Sequence, residues 1–160
     1  KYFGSFGANL SYKGWELAAD FYFSGGNYIY NHIRFFTESD GAQYGNNQDK
    51  SMLYDQWKNP GDITNVPKQS INNSSYQSTR YLEDASYLRL KNVTLSYDLS
   101  DVFCKWSHLN DRNSRLSVFL SGENLATITR YSGMDPECGG WDALKYPVSR
   151  VFSLGVKLTY

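Results

Sequence analysis

Alternation with a period of two residues, sustained over separate stretches, constrains this sequence more than any other feature. Side chains of a strand point alternately to opposite faces, so such stretches read as strands with one apolar face. In residues 3–12, Phe6, Ala8, Leu10 and Tyr12 share a face against Ser5, Gly7, Asn9 and Ser11. Lys13-Gly14 then suits a tight hairpin, because Gly tolerates the positive φ such turns require. In 15–25, Trp15, Leu17, Ala19, Phe21 and Phe23 stand opposite Glu16, Asp20, Tyr22 and Ser24. The stretch 115–124 sets Leu116, Val118, Leu120 and Gly122 against Arg115, Ser117, Phe119, Ser121 and Glu123. The stretch 150–160 sets Phe152, Leu154, Val156, Leu158 and Tyr160 against Val151, Ser153, Gly155, Lys157 and Thr159. Between 85 and 99 the phase changes: Leu88 and Leu90 share a face, then Val93, Leu95, Tyr97 and Leu99 take over. One inserted residue near Lys91-Asn92, a β-bulge, keeps both sets on one side. The alternative is that one half leaves the apolar zone and no longer needs to alternate. No stretch repeats apolar residues at helical spacing, which leaves only short helical turns in the loops.

The connections decide which β-architecture this is. They are short (13–14), very long (26–84), medium (100–114) and long (125–149). Compact soluble domains rarely hold a connection like 26–84 without regular structure, whereas outer-membrane barrels alternate short periplasmic turns with long external loops. That rule makes 13–14 and 100–114 periplasmic, 26–84 and 125–149 external, and the C-terminus periplasmic. Tyr12, Trp15, Tyr97 and Tyr160 then fall on one level, where amphipathic rings collect at a membrane interface. Phe21, Phe23 and Tyr87 sit near the opposite ends. Among 160 residues, 14 Tyr, 9 Phe and 4 Trp are many for a soluble domain, which supports the same reading. Lys+Arg and Asp+Glu number 16 each, so there is no basic excess to hold a nucleic acid. No run approaches the roughly 20 apolar residues of a spanning helix, which excludes a helical membrane protein and leaves a barrel open. With no signal-peptide pattern after Lys1 and a strand running to Tyr160, the chain reads as a piece of a longer protein, its C-terminal end.

Tyr81-Leu82-Glu83-Asp84-Ala85-Ser86-Tyr87-Leu88-Arg89-Leu90-Lys91-Asn92-Val93-Thr94-Leu95-Ser96-Tyr97 resembles the late-barrel strand of SusC/RagA-type TonB-dependent outer-membrane transporters. Ser121-Gly122-Glu123-Asn124-Leu125, Tyr131-Ser132-Gly133-Met134-Asp135-Pro136-Glu137, Tyr146-Pro147 and Arg150 follow in that family's order, before Leu154-Gly155-Val156-Lys157-Leu158-Thr159-Tyr160. The resemblance implies an all-β, antiparallel transmembrane β-barrel of about 22 strands around a plugged lumen, with this chain as the last five. It implies TonB-energised import of glycan or peptide fragments, with a SusD-like surface lipoprotein as a lid and TonB acting through a plug region absent here. The outer-membrane barrel assembly machinery and lipid or lipopolysaccharide are the other implied partners; no cofactor and no enzymatic activity are implied. Two other readings stand beside it: a soluble β-sandwich carbohydrate-binding module with long aromatic loops, and a passive porin.

Apolar residues at alternate positions and a final aromatic make Phe152, Leu154, Val156, Leu158 and Tyr160 resemble the β-signal read by the assembly machinery. An open edge strand can add to another sheet through its backbone; the same residues also serve simply as a lipid-facing row. Glu16, Asp20, Arg89, Lys91, Arg115, Glu123 and Lys157 fall on the polar face and line a hydrated wall or a substrate path. Tyr44, Trp57, Tyr131 and Trp141 are candidate substrate or lid contacts, through ring stacking, or anchors of the long loops. His32 and His108 lack spaced partners, and Cys104-x-x-x-His108 falls short of a zinc site. Asp135 and Glu137 flank Pro136 without a catalytic partner, and Asn92-Val93-Thr94 and Asn73-Ser74-Ser75 match glycosylation acceptors only by chance. The inferred topology puts Cys104 in a turn and Cys138 in an external loop. A hydrocarbon core of roughly 30 Å separates those ends, and bridged Cα atoms lie within about 7 Å. A non-reducing peptide map is therefore expected to return two separate thiols; a Cys104–Cys138 disulfide would overturn the strand order.

Overall fold

The computed structural model describes residues 1–72, 77–107 and 115–159, without the side chains of Cys104, Trp106 and Ser107. In chain order the elements are β1 (Tyr2–Tyr12), β2 (Trp15–Gly25), β3 (Tyr28–Asn31), α1 (His32–Thr37), α2 (Ser51–Tyr54), a 3-10 turn (Thr79–Tyr81), β4 (Leu82–Asp84), β5 (Tyr87–Asp98), α3 (Ser100–Ser107), β6 (Arg115–Thr129), β7 (Trp141–Asp142) and β8 (Val151–Thr159). Two units divide them: 1–26 with 86–130 and 148–160, and 27–85 with 131–147.

The first unit is one five-stranded antiparallel sheet in the order β1-β2-β5-β6-β8. Tyr12 pairs with Trp15, so Lys13 and Gly14 form a two-residue turn. Their φ values of 47° and 86° are both left-handed, which matches the turn to the twist of its strands. Register then sorts side chains into rows. Leu10, Leu17, Leu95, Leu120 and Leu154 form one, and Ala8, Ala19, Val93, Gly122 and Phe152 the next. The adjacent row on the other face is Asn9, Ala18, Thr94, Ser121 and Ser153. Aromatic neighbours reinforce the apolar rows: Phe6 stacks on Phe21 at 5.0 Å and Trp15 meets Tyr97 at 4.6 Å. Such cross-strand pairs contribute about 0.2–1 kcal/mol each. Phe152, Leu154 and Leu158 remain 69%, 82% and 50% exposed, so no second protein layer covers them. In water a contiguous exposed apolar face of this kind promotes association; in hydrocarbon it is the expected outer surface.

The phase change of β5 is a bulge. Asp20 and Phe21, adjacent on β2, face Asn92 and Leu90, so Lys91 is the inserted residue. The irregularity continues into β6, where Asn124 and Leu125 lie between the partners of Asn92 and Leu90. Asn124 takes φ 54°, a conformation that Asn tolerates better than most residues. The Leu125 side chain lies over Gly122, where a Cβ would come within 2.8 Å of it. These two requirements give Ser121-Gly122-Glu123-Asn124-Leu125 its physical account. They also explain why β6 reaches Thr129, beyond the expected 124: the break in alternation is a bulge, after which Ala126 and Ile128 resume the apolar face.

The second unit corrects the reading of 26–84 as a connection without regular structure. β3 pairs antiparallel with β4 and parallel with β7. Strands of two to four residues are too short for alternation to register. Ile29, Ala85 and Tyr131 form their core, with Cys138 packed against it. The bulge gives a direct test in the full-length protein. Asn124→Gly is expected to leave the urea midpoint nearly unchanged, and Asn124→Val to cost about 1–2 kcal/mol, because a β-branched residue resists positive φ.

Candidate functional site

The sheet's register gathers the polar side chains onto one face. Glu16 faces Ser96, and Asn92 lies between Asp20 and Glu123. Arg89 lies between Tyr22 and Thr127, donates from Nε to Thr127 Oγ1 at 3.0 Å, and is buried. Its guanidinium sits 5.5 Å from the Tyr87 ring centre, and the Lys91 ammonium 5.7 Å from that of Tyr22. Arg115 and Lys157 lie opposite Thr159 and Ser117. The face is therefore cationic, acidic and aromatic by turns. On the opposite face, Phe152, Leu154, Val156 and Leu158 form the apolar row of edge strand β8; Tyr160 lies outside the described residues.

In the second unit a charged node ties distant segments together. Asn31 caps α1, accepting from Arg34 N at 3.1 Å, while its Nδ2 donates to Glu83 Oε1 and Ser132 Oγ at 3.1 Å each. Glu83 also accepts from the backbone N–H and the hydroxyl of Ser132, both at 2.9 Å, and from Arg34 Nη1 at 2.8 Å. Arg34 grips Glu38 with Nε and Nη2 at 2.7 and 2.9 Å. Arg80 bonds Asp40 at 2.7 Å, and the Tyr81 hydroxyl donates to the Glu38 carbonyl at 3.0 Å. Burial works to raise the Glu83 carboxyl, but the bonds from Arg34 and Ser132 outweigh it and hold the group below its ordinary value. Arg34 is raised above its ordinary value, chiefly by its hydrogen bond to Glu38, so this network stays charged.

The loop aromatics divide into anchors and exposed rings. Tyr131 is only 6% exposed; its hydroxyl donates to Asp142 at 2.7 Å, and burial, then that bond, pushes its pKa up. Its ring also covers Gly133. Trp141 is 43% exposed, stacked on Tyr30 at 5.0 Å and tilted against His32 at 4.7 Å. Tyr44 is 84% exposed, and Trp57 is half-buried with its backbone N–H on the Val66 carbonyl. Asp135 accepts from Glu137 N at 2.9 Å, so the Asp-Pro-Glu carboxylate closes a turn. Cys138 is a free thiol whose pKa is pushed up by burial. His108, Asn73-Ser74-Ser75 and the Cys104 side chain lie outside the described residues. Among the described residues no group of three metal-ligating side chains forms.

Sequence reasoning missed the Glu83 node. Its local signals were readable: Asn31 as a helix cap, and Arg34 spaced four residues from Glu38. Nothing local announces that Glu83 closes on Arg34 across 49 positions.

Sequence comparison finds relatives along nearly the whole chain. TonB-dependent receptor P39 of Formosa agariphila is 31% identical over 172 residues, covering 98% of this chain and 16% of the relative. TonB-dependent receptor SusC of Bacteroides thetaiotaomicron is 33% identical over 86 residues, covering 53% of this chain and 8% of the relative. Among solved structures, the RagAB peptide importer in its "closed-closed" state superposes with a TM-score of 0.82 at 38% identity, over 98% of this chain and 17% of that one. Its "open-open" state gives 0.83 at 37%, over 99% and 17%. No family model matches. The chain spans about a sixth of the length of the receptors P39 and P3 that it matches nearly end to end.

Because Glu83 receives bonds from three residues, Asn31, Arg34 and Ser132, Glu83→Gln in the full-length protein is expected to cost the loop unit about 2–3 kcal/mol. Amide exchange of the Ser132 N–H reads the loss, and unchanged protection would deny the node its role. The same stabilisation depends on pH. It is full above the ordinary Glu value of 4.5 and fades as pH falls through the lowered folded value.

Proposed function

The chain belongs to the SusC/RagA family of TonB-dependent receptors, and from that premise we propose that it forms the closing wall strands of an outer-membrane importer. The single observation that carries this reading is the one-sided sheet. Five paired strands turn exposed leucine, valine and phenylalanine rows one way and Glu16, Asp20, Arg89, Lys91, Arg115, Glu123 and Lys157 the other. The first face meets hydrocarbon and the second a hydrated interior. The Lys13-Gly14 turn and the C-terminus lie on the periplasmic side, and the second unit lies outside the cell. TonB energises import through the part of the protein beyond this chain, and a SusD-like lipoprotein covers the external loops. Tyr44 and Trp141, exposed in the second unit, are its available stacking surfaces, while Tyr131, bonded to Asp142, holds the loop that presents Trp141. The likeness to a peptide importer at 38% identity favours peptide fragments over glycans as cargo. Phe152, Leu154, Val156, Leu158 and Tyr160 act as the assembly signal before they become part of the outer surface.

Adjacent residues test the two faces. In intact outer membranes carrying the full-length protein, Ser153→Cys is expected to react with a water-soluble maleimide. Leu154→Cys should react only with a reagent that partitions into lipid. Equal labelling of both by the soluble reagent would sink the barrel-wall reading. Deleting the gene, or TonB, should stop growth on a protein digest as nitrogen source, and undiminished growth would remove the import reading.

A further inference from the structure

The connection from β5 to β6 carries an apolar surface of its own. Trp15, Tyr97, Val118 and Val156 form one row of the sheet's apolar face, and Leu116 and Leu158 belong to the next, nearest the turn. The backbone N–H of Leu99 donates to the Leu116 carbonyl at 2.8 Å, which sets Leu99 beside Leu116 in that last row. The Leu99 carbonyl then accepts from the N–H groups of Val102 and Phe103, at 3.1 and 2.9 Å, so α3 starts from the apolar row itself.

Residues three and four apart share a helix face. Leu99, Val102 and Phe103 follow that spacing, and the sequence extends it to Trp106. Asp101 and Lys105, themselves four apart, fall off the stripe. Two turns are too few for such a repeat to stand out from sequence. Phe103 is half-buried, whereas Val102 is 64% exposed, and Asp101 and Lys105 are exposed too. Among the described residues Lys105 enters no ion pair. The residues lining the polar face at this end, Glu16, Asp98, Arg115 and Lys157 among them, include none described from α3. The stripe therefore continues the outer face of the wall. β5 and β6 are both paired on each side, to β2 and β8 as well as to each other, so the exposure of α3 does not arise at an open sheet edge.

Height selects what covers it. Trp15 and Tyr97, in contact at 4.6 Å, mark the aromatic level at which a barrel meets the membrane surface. Leu99 stands two residues further on, roughly 7 Å along the strand. The polar layer of one leaflet is itself about 5–8 Å deep. The start of α3 is fixed at that level, because Leu116 N–H donates to Ser100 Oγ at 3.1 Å and Ser100 N–H to the Asp98 carboxylate at 2.8 Å. A helix of eight residues, about 12 Å long, carries too little apolar area to hold a membrane alone. Here the flanking strands already hold it at the surface, so contact with lipid is intramolecular in effect and needs no separate association.

We propose that α3 is an interfacial helix lying in the phospholipid headgroup layer, with Val102 toward the acyl chains and the Lys105 ammonium toward lipid phosphate. A lysine can lay its stem along the apolar boundary and keep its charge among the headgroups. The inference rests on the barrel-wall reading and adds to it a lipid contact made by the turn.

Spin labels on the full-length receptor test it, in vesicles of phosphatidylethanolamine and phosphatidylglycerol and in a background whose native cysteines are serine. A label at Val102→Cys is expected to collide more often with oxygen, which partitions into lipid, than with a water-soluble nickel chelate. A label at Asp101→Cys should show the reverse order. Adding Lys105→Glu, which sets like charge against phosphate, should lower the oxygen-to-nickel ratio at Val102. A Val102 label that prefers nickel places the turn in water, and one that neither reagent reaches places it against protein; either result overturns the interfacial helix. A ratio indifferent to Lys105→Glu overturns the phosphate contact. Labels at Leu154→Cys and Ser153→Cys separate the two readings. If Leu154 keeps its oxygen preference while Val102 lacks one, the wall stands and the helix contact falls; if Leu154 prefers nickel as Ser153 does, both fall.

Discussion

The hydrogen-bonded ladder between neighbouring strands is the interaction on which everything else here depends. Backbone groups in hydrocarbon have no water to turn to, so a membrane strand must pair along its whole length. Pairing fixes register, and a slip of one residue would turn every leucine of the row Leu10, Leu17, Leu95, Leu120 and Leu154 toward the polar face. The identities of those residues therefore answer to the ladder before they answer to each other. The polar residues inherit their placement from the same register. Glu16 shares a face with Lys157 because the leucines between them are committed to the other one.

Departures from the regular ladder show how tightly it is held. The insertion at Lys91 faces two consecutive residues, Asp20 and Phe21, on β2 and is matched by an irregularity at Asn124 and Leu125 on β6. On β6 the cost is met by two choices, Asn at a left-handed position and Gly beneath Leu125. The family-like motif of that strand is thus a geometric requirement. The same holds for Tyr131-Ser132-Gly133-Met134-Asp135-Pro136-Glu137. Glu83 holds Ser132, Tyr131 covers Gly133, and Asp135 closes the turn. Residues that look like functional signatures in one dimension are here the fasteners of a loop.

That distinction sets what could be read from the sequence. The five long strands were legible because each runs for nine or more residues and alternates in one phase over at least seven of them. The Lys13-Gly14 turn was legible because its conformation is written in two adjacent residues. The end of β6 was misplaced for the converse reason: a bulge erases alternation locally, and its far side reads as loop. The small sheet of the second unit stayed hidden because its strands are short and one of its pairings is parallel, between segments far apart in the chain. Among the candidate residues, polar-face positions followed from parity alone. Whether a loop aromatic is an anchor like Tyr131 or an open ring like Tyr44 depends on contacts that no local pattern encodes.

The two groups of charges make the final distinction. Around Glu83, positive and negative groups meet directly, and the backbone N–H of Ser132 is included in the bonding. A partly buried network of that kind is costly unless every member is satisfied, and removing one partner leaves the others exposed to the full penalty of desolvation. On the polar face of the sheet the reverse holds. Glu16, Arg115 and Lys157 stand on three different strands, with Ser96 and Ser117 as the cross-strand neighbours of Glu16 and Lys157. They contribute little to stability, since exposed charges at such spacing interact weakly.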